Sequence, residues 1–302
     1  MIDHDQRFKE LLREFAREAV SLFLPDLHLR LSSSEMRWQS QDVSTNPPLG
    51  LVRRVDLLAL VDETRADETT GERVLHLEVE SAESLTEVRK KIAYYYPALR
   101  TKHNLPVTTF ALYLFAGLAG AGWDEYTEMD GETVYLVRWR YAGLPGLDAE
   151  VYLASDNWLA VGLASLMRID KGRKLWLRAE ILRRLAVECR ENDYRKLLLI
   201  NCVETYLPIE GQEEAEYLRL VSSDRRYEEV QAVIQTTYDR GIAVGELKAF
   251  REMIVEFASP QCGEPGEAIL ERLRRIEDPA RLRALVRTAA SASSWDDLLA
   301  SN

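Results

Sequence analysis

Apolar residues recur at helical spacing near the start of the chain. Phe8, Leu11, Leu12, Phe15, Ala19, Leu22 and Phe23 share one face, which predicts an amphipathic helix opened by Asp3 or Asp5 and closed at Pro25. Ser32 to Gly50 is polar and holds Asn46-Pro47-Pro48, a short strand followed by a loop. Leu51 to Val61 is a nearly continuous apolar run broken by Arg53, Arg54 and Asp56, which predicts a buried strand. After an acidic turn, Val74 to Ser81 alternates: Leu75, Leu77, Val79 and Ser81 face one way, and Val74, His76, Glu78 and Glu80 the other. Ser84 to Lys102 reads as a helix whose apolar positions include Ile92, Tyr95, Tyr96 and Leu99. Pro106 to Phe115 and Thr133 to Trp139 read as further strands.

From Trp158 the helical period takes over. It predicts helices over Leu159–Met167, Trp176–Glu191, Tyr194–Tyr206, Glu213–Val221, Tyr227–Gly241 and Gly245–Ala258. A Pro/Gly-bearing break at Ser259–Gly266 precedes Glu267–Ile276 and Pro279–Ala290, and the chain then runs through Trp295-Asp296-Asp297-Leu298-Leu299. The expected fold class is therefore α/β: a mixed sheet flanked by helices, followed by a largely helical C-terminal half. The expected division is a body over 1–241, with its sheet core in about 1–140 and a helical extension over about 150–241, and a helical appendage over 242–302.

Composition narrows the chemistry. The chain has 302 residues and a formal net charge of −11, so tight non-specific binding of nucleic acid over the whole surface is disfavoured. Two local windows run against that balance. Ser84–His103 carries Arg89, Lys90, Lys91, Arg100 and Lys102 against Glu87, and Arg168–Lys196 is also rich in Lys and Arg. For each, a solvated helix face is a commoner reading than a binding groove. Cys189, Cys202 and Cys262 are too scattered for a disulfide framework or a zinc site, and His4, His28, His76 and His103 form no ligand pair. With no secretory signal pattern and no unbroken apolar run near 20 residues, a soluble cytoplasmic protein without a membrane partner is expected.

The informative constellation is Asp56 with Glu78 and Glu80. If the two flanking runs form a hairpin centred near Asp67, Asp56 lies opposite Glu78, and Glu80 projects from the same face two residues on. Directly opposed side chains sit about 5 Å apart, where like charges repel unless a cation lies between them. Three converging carboxylates suit Mg²⁺ or Mn²⁺, and the chemistry that uses such a site is phosphodiester hydrolysis. The competing readings are an acidic hairpin face exposed to solvent, Asp56 paired to Arg54, or a one-residue slip that sends the side chains apart.

The opening His4-Asp5-Gln6-Arg7-Phe8-Lys9-Glu10-Leu11-Leu12 resembles the "HDxxFKxLL" start of the Rpn, or YhgA-like transposase, family of recombination-promoting nucleases. Arg54-Val55-Asp56-Leu57, His76-Leu77-Glu78-Val79-Glu80, Arg89 to Tyr96 and Asn104-Leu105-Pro106-Val107 follow in similar order. Ile269-Leu270-Glu271-Arg272-Leu273 through Leu299 resembles a small helical domain attached to many such proteins. The resemblance implies the PD-(D/E)XK, restriction-endonuclease-like group: Mg²⁺-dependent DNA cleavage linked to recombination or mobility. Asp56 and Glu78 would hold the metal, with the Val79 carbonyl as an extra ligand. Glu80 departs from the pattern, standing where the wider group carries Lys and this family usually Gln. Either it binds a second metal, or Lys90 or Lys91 from the next helix substitutes, or the site is weakened.

Other residues carry less. Lys9 and Glu10 could reach the site from the first helix, and Glu10 reads better as an ordinary helix face. His76 shares the face of Glu78 and reads as a hydrogen-bonded neighbour rather than a base. Gly117 to Gly122 has no phosphate-loop order and reads as a loop, and Gly162-Leu163-Ala164-Ser165-Leu166 lacks the last glycine of a nucleophile elbow. Tyr94, Tyr95 and Tyr96 beside Arg89, Lys90 and Lys91 could stack on bases, although core packing accounts for at least one of them. The expected function is a DNA endonuclease with Asp56, Glu78 and Glu80 as its catalytic set and Arg89–Lys91 as DNA contacts. The alternatives are a catalytically silent member of the same fold, serving interaction or homo-oligomerisation, and an unrelated helical scaffold in which Asp56 and Glu78 lie far apart.

Overall fold

The opening amphipathic stretch forms two helices, α1 (His4–Glu14) and α2 (Ala16–Phe23), with Phe15 at the break between them. The apolar stripe is nevertheless continuous: Phe8, Leu11, Leu12, Phe15, Ala19 and Phe23 are all buried. Pro25 opens a short helix α3 (Pro25–His28), where its missing N–H costs nothing. The computed structural model describes residues 4–32, 36–43, 53–65, 68–81, 84–227 and 230–300, so the expected cap at Asp3 lies outside the described residues.

Among the described residues eight strands follow: β1 (Arg37–Trp38), β2 (Asp42–Val43), β3 (Arg53–Arg54), β4 (Leu57–Thr64), β5 (Thr70–Glu80), β6 (Val107–Tyr113), β7 (Gly120–Asp130) and β8 (Thr133–Gly143). Six of them form one mixed sheet in the order β1-β4-β5-β6-β8-β7, while β2 and β3 pair separately. Its centre is parallel, β5 with β6 and β6 with β8, and its flanks are antiparallel. A parallel neighbour requires a crossover, and α4 (Leu85–His103) supplies it between β5 and β6. Ser84 caps α4, its hydroxyl accepting from the Glu87 N–H, and Asn104, in the left-handed conformation, closes it.

The central strands are covered on both faces, so every residue from Val74 to Glu80 is buried rather than alternate ones. One face packs under α4, whose Val88 and Ile92 meet Ala111, Tyr113, Val137 and Trp139. Towards the other end of α4, Tyr95 and Leu99 meet Val55, Leu58, Val74 and Val107. On the opposite face Phe23 of α2 stacks on Phe110, ring centroids 5.2 Å apart.

Three expectations are corrected. The apolar run before Thr64 is not one strand: it breaks at Val55-Asp56, where the chain leaves the β2–β3 pair and enters the main sheet. The expected loop after Phe115 ends at Ala119, and Gly120–Asp130 is an edge strand. Its residues are mostly exposed, so no alternation announced it. The expected helices Tyr227–Gly241 and Gly245–Ala258 are one helix, Val230–Cys262. Gly241 is no terminator there. A Cβ at Gly241 would lie 2.7 Å from the Leu197 Cβ and 2.8 Å from the Asp193 carbonyl oxygen, so glycine is needed for close approach.

The chain divides into two compact units, residues 1–189 with 198–230, and residues 190–197 with 231–302. The second unit has its own core of Ile254, Leu273, Leu282, Leu285, Trp295 and Leu298. Gly263, at φ +76°, ends the long helix, and the Trp295 indole donates to its carbonyl at 2.9 Å. Among the described residues the three cysteines form no disulfide. Among the described residues no helix is long and apolar enough to cross a membrane.

Candidate metal centre

The β4–β5 ladder pairs Leu57 with Leu77 and Thr64 with Thr70, the register that places Asp56 opposite Glu78. Asp56 itself stands at the bend before β4, where the Gln41 amide donates to its carbonyl at 2.5 Å. Freed from the ladder, its carboxylate turns towards β5 and accepts the Val79 N–H at 2.8 Å. Carboxylate oxygens of Asp56, Glu78 and Glu80 all lie within 4.8 Å of one another. An octahedral cation with oxygen ligands at about 2.1 Å would set them about 3–4 Å apart, so a small closure suffices.

Glu78 is fully buried, Glu80 is 6% exposed and Asp56 14%. Two ammonium groups offset this charge. Lys91 of α4 places Nζ 2.8 Å from Glu78 Oε2 and 2.7 Å from Glu80 Oε1, and Lys9 of α1 reaches Asp56 Oδ1 at 2.7 Å. Three carboxylates against two lysines leave a local excess of one negative charge. Glu78 Oε2 has the Lys91 ammonium, 2.8 Å away, as its partner. Clustered carboxylate oxygens that keep an excess of negative charge suit a hard divalent cation.

The surroundings divide the carboxylates. Burial, and then the charge of Glu78, push the Asp56 carboxyl above its ordinary range, against the pull of Lys9 and Val79. Burial acts most strongly on Glu78 as well, and would raise it. The His76 hydrogen bond and the Lys91 charge together prevail and hold Glu78 low. Glu78 and Glu80 together drive Lys91 upward despite its own burial. His76 Nε2 lies 2.7 Å from Glu78 Oε1, and its Nδ1 lies 3.2 Å from Thr109 Oγ1. The carboxylate accepts from Nε2–H, and Nδ1 shares a hydrogen bond with the Thr109 hydroxyl. His76 thus orients Glu78, has no exposed surface, and is a hydrogen-bonded neighbour.

The basic residues expected at the surface are engaged within the protein. Arg89 forms a bidentate pair with Asp124 of β7 (Nη2 to Oδ1 2.7 Å, Nε to Oδ2 3.1 Å), and Lys90 pairs with Glu87 at 3.2 Å. Of the two lysines considered as substitutes at position 80, Lys91 alone reaches the cluster. Glu10 is not among its carboxylates, and the side chains of His4 and Asp5 lie outside the described residues. Of the three tyrosines, Tyr95 is buried and donates to the Arg54 carbonyl at 2.9 Å, while Tyr94 and Tyr96 are half-buried and pack against the cluster that holds Tyr95 and Leu99. Nothing in the sequence singles out Asp124, because the strand that carries it has no alternating pattern. Comparison with known protein families, with curated proteins and with solved structures finds no match.

Proposed function

We propose that the chain is a Mg²⁺- or Mn²⁺-dependent phosphodiester hydrolase acting on DNA, as its resemblance to the Rpn nucleases suggests. The observation that carries this reading is Lys91. It brings an ammonium to the side of Glu78 and Glu80, so helix α4 supplies the positive charge that strand position 80 lacks. Asp56 and Glu78 would hold the ion. A divalent ion bound there supplies Lewis acidity to a phosphoryl oxygen and lowers the pKa of bound water. The residues around it do the positioning. The Val79 N–H fixes one oxygen of Asp56, His76 fixes one oxygen of Glu78, and Lys91 holds positive charge beside Glu80, where negative charge develops in phosphoryl transfer.

The test is nicking of supercoiled plasmid with Mg²⁺ or Mn²⁺ by wild type, Asp56→Ala, Glu80→Gln and Lys91→Met. Cutting that Asp56→Ala and Lys91→Met abolish is expected. Inert wild type with active Glu80→Gln would identify a disarmed nuclease. One observation favours a second reading, a silent interaction module: Lys9 and Lys91 already offset most of the acidic charge without a metal. Absence of cutting by every variant, together with no heat of Mn²⁺ binding, decides for that module.

A further inference from the structure

Helix α4 carries a proline in its interior, and the sheet compensates for it. Pro97 has no N–H, so the Ala93 carbonyl one turn earlier loses its helical donor. The Tyr135 hydroxyl of β8 takes that place, donating to Ala93 at 2.5 Å. Tyr135 is thereby fixed across a gap between the outer face of α4 and the β7–β8 hairpin. The gap is a groove of about 720 Å³, with Tyr94 and Pro97 on one side and Tyr126 and Tyr135 on the other. Tyr126 meets Tyr135 edge to face at 6.2 Å, and its hydroxyl donates to Glu128 at 3.3 Å. Lys90 and Lys102 also line the groove. Lys102 is held by a neutral group, the Asp42 carbonyl at 3.0 Å, and Lys90 by an exposed pair with Glu87 that is worth little. Glu128 is the one carboxylate among the lining residues and Glu87 pairs with Lys90 beside it, so Lys102, held by a carbonyl alone, is the cation best placed to meet an anion there.

Aromatic rings held in place, with lysines beside them, match a flat ring that carries a phosphate. We propose that this groove binds a nucleotide with an unpaired base, the base lying against Tyr94, Tyr126 and Tyr135 and the phosphate at Lys90 or Lys102. A base inside a duplex is stacked on both faces and cannot enter such a groove without leaving the helix. The groove shares no residue with the carboxylate cluster and needs no metal. Binding is therefore measured in EDTA, where failure of the hydrolase reading cannot affect the result.

The probe is a fluorescein-labelled thymidine oligomer about twelve nucleotides long, followed by anisotropy at low salt. It should bind at least about tenfold more tightly than a duplex of equal length. Tyr94→Ala should weaken it about tenfold or more, since stacking on one aromatic carries that much, while Tyr94→Phe retains it. Lys102→Gln, an exposed change that spares the fold, should weaken binding and lower the salt slope by about one phosphate contact. Competition by thymidine monophosphate at similar concentration would assign the site to a free nucleotide, and competition by the oligomer alone to a strand. Equal binding of single strand and duplex would overturn the proposal. So would unchanged affinity in both Tyr94→Ala and Lys102→Gln, no binding of oligomer or nucleotide, or occupation of the groove by a proline-rich peptide instead.

Discussion

Replacing Lys91 by methionine keeps the length of the side chain and removes the charge that faces Glu78 and Glu80. Breaking a buried ion pair from one side costs about 3–5 kcal/mol. There is also a ceiling, because a buried carboxylate can take up a proton instead. At pH 7, about 2.7 units above an ordinary glutamate pKa, that protonation costs about 3.7 kcal/mol. The expected loss is therefore about 3–4 kcal/mol, a fall in Tm of roughly 6–15 °C for a unit of this size.

The pH dependence has a definite sign. In wild type Glu78 is held below its unfolded range, so its contribution is present at neutral pH and fades as pH falls. In Lys91→Met the unpaired carboxylate is raised instead, so that variant regains stability on acidification. At pH 5 the ceiling drops to about 1 kcal/mol, and the gap between the two proteins should largely close. Calorimetry at pH 7 and pH 5 in EDTA measures both. Mn²⁺ at a hundred times its Kd should stabilise either protein by about 2.7 kcal/mol. A variant melting within about 2 °C of wild type at both pH values would refute the view that Lys91 balances buried charge.

Further changes test the same geometry. Asp56→Asn should weaken Mn²⁺ binding at least about tenfold by isothermal calorimetry while leaving the Tm close to wild type, because the lost Lys9 pair is offset by removing a charge that burial and Glu78 disfavour, and the amide oxygen can still accept the Val79 N–H. Gly143→Ala should cost about 3 kcal/mol by urea denaturation, since the new Cβ would stand 1.6 Å from the Leu118 carbonyl oxygen and the main chain must move. Gly120→Ala, in open space but at φ +76°, should cost only about 1–2 kcal/mol. Arg89→Ala strands Asp124, whose side chain is 5% exposed, and should cost about 3 kcal/mol; adding Asp124→Ala should recover a good part of it, read as coupling in a double-mutant cycle.

The acidic cluster is legible in the sequence because it depends on short-range rules. Strand side chains repeat every two residues, which puts Glu78 and Glu80 on one face, and the ladder that ends in the Thr64–Thr70 pair has the register that sets Leu57 opposite Leu77. The helix after β5 is legible from its apolar spacing, and burial of the opening stripe from Phe8 to Phe23 follows in the same way. The second unit's terminal helices, Glu267–Arg274 and Pro279–Ala289, also follow from local signals, Pro279 at the first turn with Asp278 as its cap.

What the sequence could not decide was which groups meet across the fold. Lys90 and Lys91 are adjacent and chemically identical. Only the roll of α4 against the sheet turns Lys91 towards Glu78 and leaves Lys90 outside. Lys9 meets Asp56 from far along the chain, and Arg89 meets Asp124 on an edge strand that has no alternating pattern to reveal it. The unbroken helix through Gly241 has the same cause, because glycine's propensity to end a helix is worth about 1 kcal/mol and close packing against Leu197 outweighs it. Period and turn chemistry act within a few residues and so can be read along the chain. Charge pairing and close approach act through space, and were settled only when the sheet and α4 came together.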